Sequence, residues 1–282
     1  MFTYKAFAKI NWTLSVLKKR DDGYHDIITL MHAIDLYDTL SFEPSEKVEI
    51  EINMPIKKEK NLVYKAIKAL QKYTGIKKKV CVLLLKKEIP IGAGLGGGSS
   101  DAATTLRALN ELWQLNLDTK TMHEIGSSIG SDIPFFFYLP IAIVEGRGDI
   151  IKPLQIQKSY TLLIVKPDFS ISTKWAYESL NLQTQLTTEY EKINNNIWQL
   201  YNQLCCGNVS SLNLWNDLEK SVLEKYPEID KIKRRLIESG AKKTLMSGSG
   251  STVFGVFEDK EDADRALKNF EKYWARVVQT LC

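Results

Sequence analysis

Between Pro90 and Asp101 the chain reads Pro-Ile-Gly-Ala-Gly-Leu-Gly-Gly-Gly-Ser-Ser-Asp, with five glycines in the seven residues from Gly92 to Gly98. Glycine at that density weakens a helix or a strand, because each one gives up more backbone freedom on folding than a residue with a side chain. It suits a turn whose main-chain N–H groups approach a ligand closely. Ser99, Ser100 and Asp101 then open a helix predicted over Ala102–Leu112, where Ala102, Leu106 and Leu109 are spaced for packing. The first N–H groups of a helix lack partners and carry the positive end of its dipole. A loop of bare amides feeding a helix N-terminus is a phosphate cradle. A Walker A loop is excluded, since it needs Gly-Lys-Ser/Thr and Gly98 is followed by Ser99. Residues Gly92–Gly97 fit G-x-G-x-x-G, but a dinucleotide fold wants a ribose-binding acid at a strand end about 20 residues on. That position falls near Asp118, between two predicted helices.

Residues 3–17 alternate as a predicted strand pair, and Ile27–Leu40, Val48–Ile52 and Val80–Leu85 read as strands. Asn61 is placed to cap a helix running to Gln71. A second helix is expected over Thr119–Ile129, and a hairpin over Ala142–Glu145 and Ile150–Leu154. Tyr160–Val165 reads as a strand, and residues 181–195 as a long polar loop or frayed helix. Helices follow at 196–205 and 215–239, the latter divided at Pro227 with Gly240 past its end. Strands at Thr244–Met246 and Thr252–Phe257 flank Ser247-Gly248-Ser249-Gly250-Ser251, and a helix over Glu261–Trp274 and a strand over Arg276–Leu281 finish the chain. The class is α+β.

Length and composition narrow the function. The 282 residues, 44% hydrophobic, bury a sizeable core in one large or two ordinary domains. The net charge of +4 is mildly basic, and its dense runs, such as Lys57–Lys60, Lys77–Lys79 and Lys233–Arg235, are short. A nucleic-acid-coating protein concentrates such charge in a stripe, so a small anionic ligand is expected instead and no nucleic acid. An RNA-binding reading also gives no reason for the glycine run. Cys81, Cys205, Cys206 and Cys282 form no CxxC pair, which suits a reducing cytoplasm. No stretch approaches the ~18 apolar residues of a membrane span, and the first residues do not form a signal peptide.

Asp132, in Gly130-Ser131-Asp132-Ile133-Pro134, stands before the apolar Phe135-Phe136-Phe137. It either caps the next segment or sits at a cleft floor, where it can accept a proton from an alcohol. Lys9 interrupts the apolar Ala6-Phe7-Ala8-Lys9-Ile10 strand and by alternation shares a face with Phe7 and Asn11, which makes it a cleft-facing cation. His32 and His123 lie in apolar or helical settings and read as structural.

The run Pro90-x-Gly-x-Gly-Leu-Gly-Gly-Gly-Ser-Ser-Asp-Ala-Ala103 resembles the ATP loop of the galactokinase, homoserine kinase, mevalonate kinase and phosphomevalonate kinase (GHMP) superfamily. Lys5–Asn11 with Gly23-Tyr24-His25 resembles a first motif, and Met246–Phe257 a third, in the branch acting on a cytidine-diphosphate-linked polyol. The resemblance implies a two-lobed α+β kinase using ATP and Mg2+. An N-terminal ATP-loop domain would span 1–155 and a C-terminal α/β sandwich 156–282, with the active site between them. It implies Asp132 as general base paired with Lys9, whose ammonium stabilises the developing alkoxide. It gives the nucleotide to Pro90, Gly92, Gly94, Leu95, Gly96, Gly97, Gly98, Ser99, Ser100 and Asp101, with Lys87 and Asn61 beside them. The acceptor falls to Asn11, Tyr24, His25, Thr173 and Tyr177, with the tyrosines on the cytosine and Ser172-Thr173 opening a helix near the diphosphate. Met31 offers only apolar contact there. The residues alone leave Tyr24 and His25 equally readable as turn residues packed on a sheet. The Ser247–Ser251 turn reads as a wall of the site.

Overall fold

The structure is a computed structural model describing residues 2–45, 48–51, 58–78, 80–180 and 187–282. The fold is mixed α+β, as expected, and its contacts gather into two compact units that interleave along the sequence. One unit takes Met1–Ala8, Leu36–Ile91 and Gly96–Leu139; the other takes Lys9–Asp35, Gly92–Leu95 and Pro140–Cys282. Two long strands, β1 (Phe2–Lys19) and β2 (His25–Pro44), contribute residues to both.

The first unit continues with β3 (Glu49–Glu51), α1 (Leu62–Thr74), β4 (Val80–Lys86), α2 (Gly97–Leu112) and α3 (Thr119–Ser127). Thr39–Pro44 of β2 pairs antiparallel with β4, and β3 joins β4 in parallel. Helix α1 forms because Val63, Ala66, Ile67 and Leu70 make one apolar stripe, which packs against α2. The Asn61 side chain accepts from Val63 N at 2.8 Å, capping the start of α1, and Gly75 ends it in the left-handed region.

The second unit adds β5 (Ile141–Gly146), β6 (Ile150–Leu154), β7 (Thr161–Lys166), α4 (Thr173–Glu178), α5 (Thr187–Cys206), β8 (Trp215–Asn216), α6 (Glu219–Lys225), α7 (Pro227–Glu238), β9 (Lys243–Met246), β10 (Val253–Phe257), α8 (Lys260–Leu267) and β11 (Trp274–Gln279). An antiparallel sheet in the order β11-β7-β10-β9 is packed by α7 and α8 over a core that includes Leu163, Val165, Ile232, Leu236, Phe257 and Phe270. Ile27–His32 of β2 pairs with β5, and β8 lies parallel to β1 at Thr13 and Leu14.

Several expectations are corrected. Residues 3–17 form one continuous strand rather than a pair, since no turn residue interrupts them. Helix α2 begins at Gly97, inside the glycine run, rather than at Ser99. Residues 187–195 belong to α5, and 181–186 of the expected loop lie outside the described residues. The last helix stops at Leu267 and passes into a 3₁₀ turn at Lys268–Phe270. Pro227 divides α6 from α7, as expected, by serving as the first residue of α7. Among the described residues no helix is long and apolar enough to cross a membrane.

Candidate active site

The glycine loop is built from its carbonyls. In the second unit Ala93 O accepts from Thr252 N at 3.2 Å, and Leu95 O from Lys9 N at 3.0 Å. Gly94 O, between them, accepts from Lys9 Nζ at 3.1 Å and from Ser247 Oγ at 3.0 Å. A trans peptide plane points its N–H opposite to its C=O. Engaging three successive carbonyls therefore turns the N–H groups of Gly94, Leu95 and Gly96 the other way, as a row of donors. Gly94 has φ +78°, and a Cβ there would lie 2.2 Å from Ser247 O, so only glycine allows this approach. Gly96, at φ 71°, caps α2 without a side chain and hands the row to the helix N-terminus.

Lys9 is 3% exposed and Asn11 fully buried. The Lys9 ammonium donates to Asn11 Oδ1 at 2.7 Å as well as to Gly94 O. Asn11 Nδ2 donates to Thr29 Oγ1 at 2.8 Å, which fixes the amide with its oxygen toward the lysine. The Ser247–Ser251 turn closes over this group. A Cβ on Gly248 would lie 3.3 Å from Lys9 Nζ and 3.4 Å from Asn11 Oδ1. Thr173, the first residue of α4 with Ser172 as its cap, shares a hydrogen bond of 2.9 Å between its Oγ1 and Ser249 Oγ. The structure thus brings Lys9, Asn11, Gly94, Leu95 and Thr173 together. Also in this unit, His25 stacks on Tyr177 with ring centroids 5.2 Å apart and planes at 29°. Tyr24 is 50% exposed, with the Arg147 guanidinium 5.5 Å from its ring centroid. Burial, then the positive charge of Lys19, lowers the His25 pKa. Met31 is buried in β2 opposite Ala142.

In the first unit, Lys87 bridges two carboxylates, Asp101 at 2.8 Å and Asp38. Asp38 Oδ1 accepts from Glu88 N at 2.7 Å and Ile89 N at 2.9 Å, so it fixes the strand end entering the glycine loop, while Asp101 stands in the first turns of α2 leaving it. Asp101 Oδ1 is buried without a hydrogen-bond partner. Burial pushes the Asp101 carboxyl up to about 7 against the opposing charge of Lys87. Burial pulls Lys87 the other way, but Asp101 and Asp38 outweigh it and its pKa rises. A Cβ on Gly97 would meet Ile89 at 2.8 Å, and one on Gly98 would lie 3.5 Å from Leu62 Cδ1, so the residue after Asn61 borders the start of α2. Asp132 is half-buried in a turn just before the 3₁₀ turn Pro134–Phe137, whose three phenylalanines are buried; Ile133 rather than Asp132 caps it. His32 is structural: it accepts from Trp12 Nε1 at 3.0 Å, contacts Leu281 O at 2.7 Å, and burial lowers its pKa to about 4.

Asp38, Arg147 and Asn216 were not foreseen as contributors, whereas Ser247 was, as part of the turn that walls the site. Asp38 carried the same signal as Lys9, a charge within an apolar strand; Asn216 carried none.

Two family models match the chain, GHMP kinases N terminal domain over residues 61–139 and GHMP kinases C terminal over 204–276, together more than half its length. Fold and loop therefore define a kinase of the GHMP class. A 4-diphosphocytidyl-2-C-methyl-D-erythritol kinase of Thermodesulfovibrio yellowstonii is 78% identical over 281 residues, covering 100% of this chain and 98% of that one. One from Caldanaerobacter subterraneus subsp. tengcongensis is 42% identical, covering 97% and 94%. A crystal structure of 4-(cytidine 5'-diphospho)-2C-methyl-D-erythritol kinase superposes with a TM-score of 0.81 at 31% identity, covering 98% of this chain and 99% of that chain. The chain belongs to the family of 4-diphosphocytidyl-2-C-methyl-D-erythritol kinases. It is an ATP-dependent phosphotransferase with an alcohol acceptor, in isoprenoid synthesis. A homoserine kinase structure with TM-score 0.73 at 20% identity, covering 99% of this chain and 94% of that one, shares the fold.

Proposed function

We propose that the chain phosphorylates the 2-hydroxyl of 4-diphosphocytidyl-2-C-methyl-D-erythritol, with Asp132 as general base and Lys9 as the cation that stabilises the alkoxide. The observation that supports this best is the bond from Lys9 Nζ to Gly94 O, which ties the cation of the first motif to the loop that cradles phosphate. Phosphoryl transfer asks a protein mainly for alignment and charge neutralisation, with a base for the hydroxyl. The turned amides of Gly94, Leu95 and Gly96 and the first turn of α2, with Gly97, Gly98, Ser99 and Ser100, hold the phosphates. Pro90, Asn61, Lys87 and Asp101 complete the nucleotide side, so ATP belongs to residues 1–155, while the acceptor is shared between that segment and 156–282. Asn11, Tyr24, His25, Thr173 and Tyr177 bind the cytidine diphosphate polyol.

Among the described residues no group of three or more His, Cys, Asp or Glu is arranged to hold a metal. Mg2+ would be held on the bound phosphates by the hydroxyls of Ser99 and Ser100, where it would neutralise phosphate charge. The partners in this reading are ATP and the polyol, without nucleic acid or membrane, in the cytoplasm.

A coupled ADP-release assay tests the reading: turnover is expected with the cytidyl substrate and not with homoserine or mevalonate, and CDP should compete. Asp132→Asn is expected to lower turnover by about 10²–10⁴ with ATP affinity nearly unchanged. Retention of most turnover by that variant would remove Asp132 from the mechanism.

A further inference from the structure

Asn216, at the end of the two-residue strand β8, is 7% exposed and far in sequence from all three motifs. Its Nδ2 donates to Met246 O at 2.9 Å and to Gly248 O at 2.8 Å, and its Oδ1 accepts from Leu218 N at 3.0 Å. Two carbonyls on one end and an N–H on the other leave the amide one orientation. β8 is itself set against β1: Trp215 Nε1 donates to Ser15 Oγ at 2.7 Å, and Val16 N donates to Asp217 Oδ2 at 2.9 Å. Asn216 is thus fixed to the strand that carries Lys9, and from there it grips the Ser247–Ser251 turn on both sides of Ser247.

The gripped peptides are those that surround the lysine. A Cβ on Gly248 would lie 3.3 Å from both Lys9 Nζ and Gly94 O and 3.4 Å from Asn11 Oδ1, and Ser247 Oγ donates to the same Gly94 O that receives the Lys9 ammonium. A lysine side chain is a flexible stem bearing a point charge, so its position is set by what walls it in.

We infer that Asn216 is a positioning residue for the phosphoryl transfer, holding the Ser247–Gly248 peptide so that the Lys9 ammonium stays on its line to the acceptor oxygen. This rests on the role proposed for Lys9. Asn216→Asp keeps the shape but replaces both donors with lone pairs facing carbonyl oxygens. It should lower kcat by about 10- to 100-fold, the scale of a displacement near 1 Å, while KM for ATP and for the acceptor hold. In a Lys9→Ala background the same change should have almost no further effect on the rate, because the group it positions is gone. Single turnovers with enzyme in excess keep the slow variants measurable, and thermal melting reports folding separately. If Asn216→Asp does not fold, Ser247→Ala, which removes one hydroxyl from Gly94 O, is judged by the same two readouts. A wild-type kcat, or an equal loss in both backgrounds, overturns the inference. A Lys9→Ala enzyme with wild-type turnover instead overturns the underlying role of Lys9.

Discussion

Asp38 and Asp101 share one half-buried lysine, so the three groups cannot all be charged without a net negative charge beside a phosphate loop. The raised carboxyl pKa of Asp101, about 7, has a definite consequence for stability. An acid that holds its proton more tightly when folded stabilises the fold fully below its unfolded pKa, and that contribution is lost as pH rises through the folded value. Asp101→Asn should therefore flatten the decline in stability between about pH 4 and pH 7, measured by denaturant unfolding across that range. A slope unchanged by the substitution would assign the shift elsewhere. Two glycines of the run, Gly94 and Gly98, separate backbone from ligand constraints. Gly94→Ala forces a Cβ against Ser247 O in a left-handed backbone and should cost about 1–3 kcal/mol of stability. Gly98→Ala meets only an ordinary contact with Leu62 within a helix, so its melting temperature should hold while ATP affinity falls.

Helix α1 shows an element whose start was legible residue by residue. Asn61 before an apolar stripe predicts a cap, and its Oδ1 takes Val63 N. Asn61→Ala should destabilise by about 1 kcal/mol, and Asn61→Asp, which retains the acceptor, by much less; chemical denaturation checks both. Helix α2 shows where such reading stops. Propensity places its start after the glycines, yet it begins at Gly97, where Ile89 and Lys87 crowd the position a Cβ would take and so require glycine inside the helix. Close packing against a neighbour overrode an intrinsic preference, and packing is not written in a single segment. The same holds at the site. Lys9 and the loop, which the Lys9–Gly94 hydrogen bond joins, were legible from a charge in an apolar strand and from glycine density. Asn216 was not, because an asparagine in a short connecting stretch looks like any turn residue until its three partners, all distant in sequence but Leu218, are in place. Tyr177 was foreseen as an aromatic on the acceptor side, but its stacking on His25 needed the fold to bring β2 and α4 together.

At the scale of the molecule, the chain passes between its two compact units five times, so neither is a contiguous half. Residues 156–282 contain β8 but not β1, its parallel partner, and they hold Leu281 without His32, which contacts its carbonyl. A fragment of 156–282 alone is expected to lack a cooperative unfolding transition by circular dichroism, even though the sheet β11-β7-β10-β9 lies wholly within it. A cooperative melt from that fragment would show that β1 and β2 are dispensable there. The acceptor residues proposed above likewise fall on both sides of residue 155, so the expected boundary divides neither the contacts of the fold nor the ligands.

The three occupied carbonyls at residues 93–95 give the nucleotide loop a sidedness. With every oxygen facing the protein, the opposite face offers hydrogen alone, so that short stretch sorts small molecules by the sign of their charge before any side chain takes part. A cation would meet only repulsion on that face, whatever its shape.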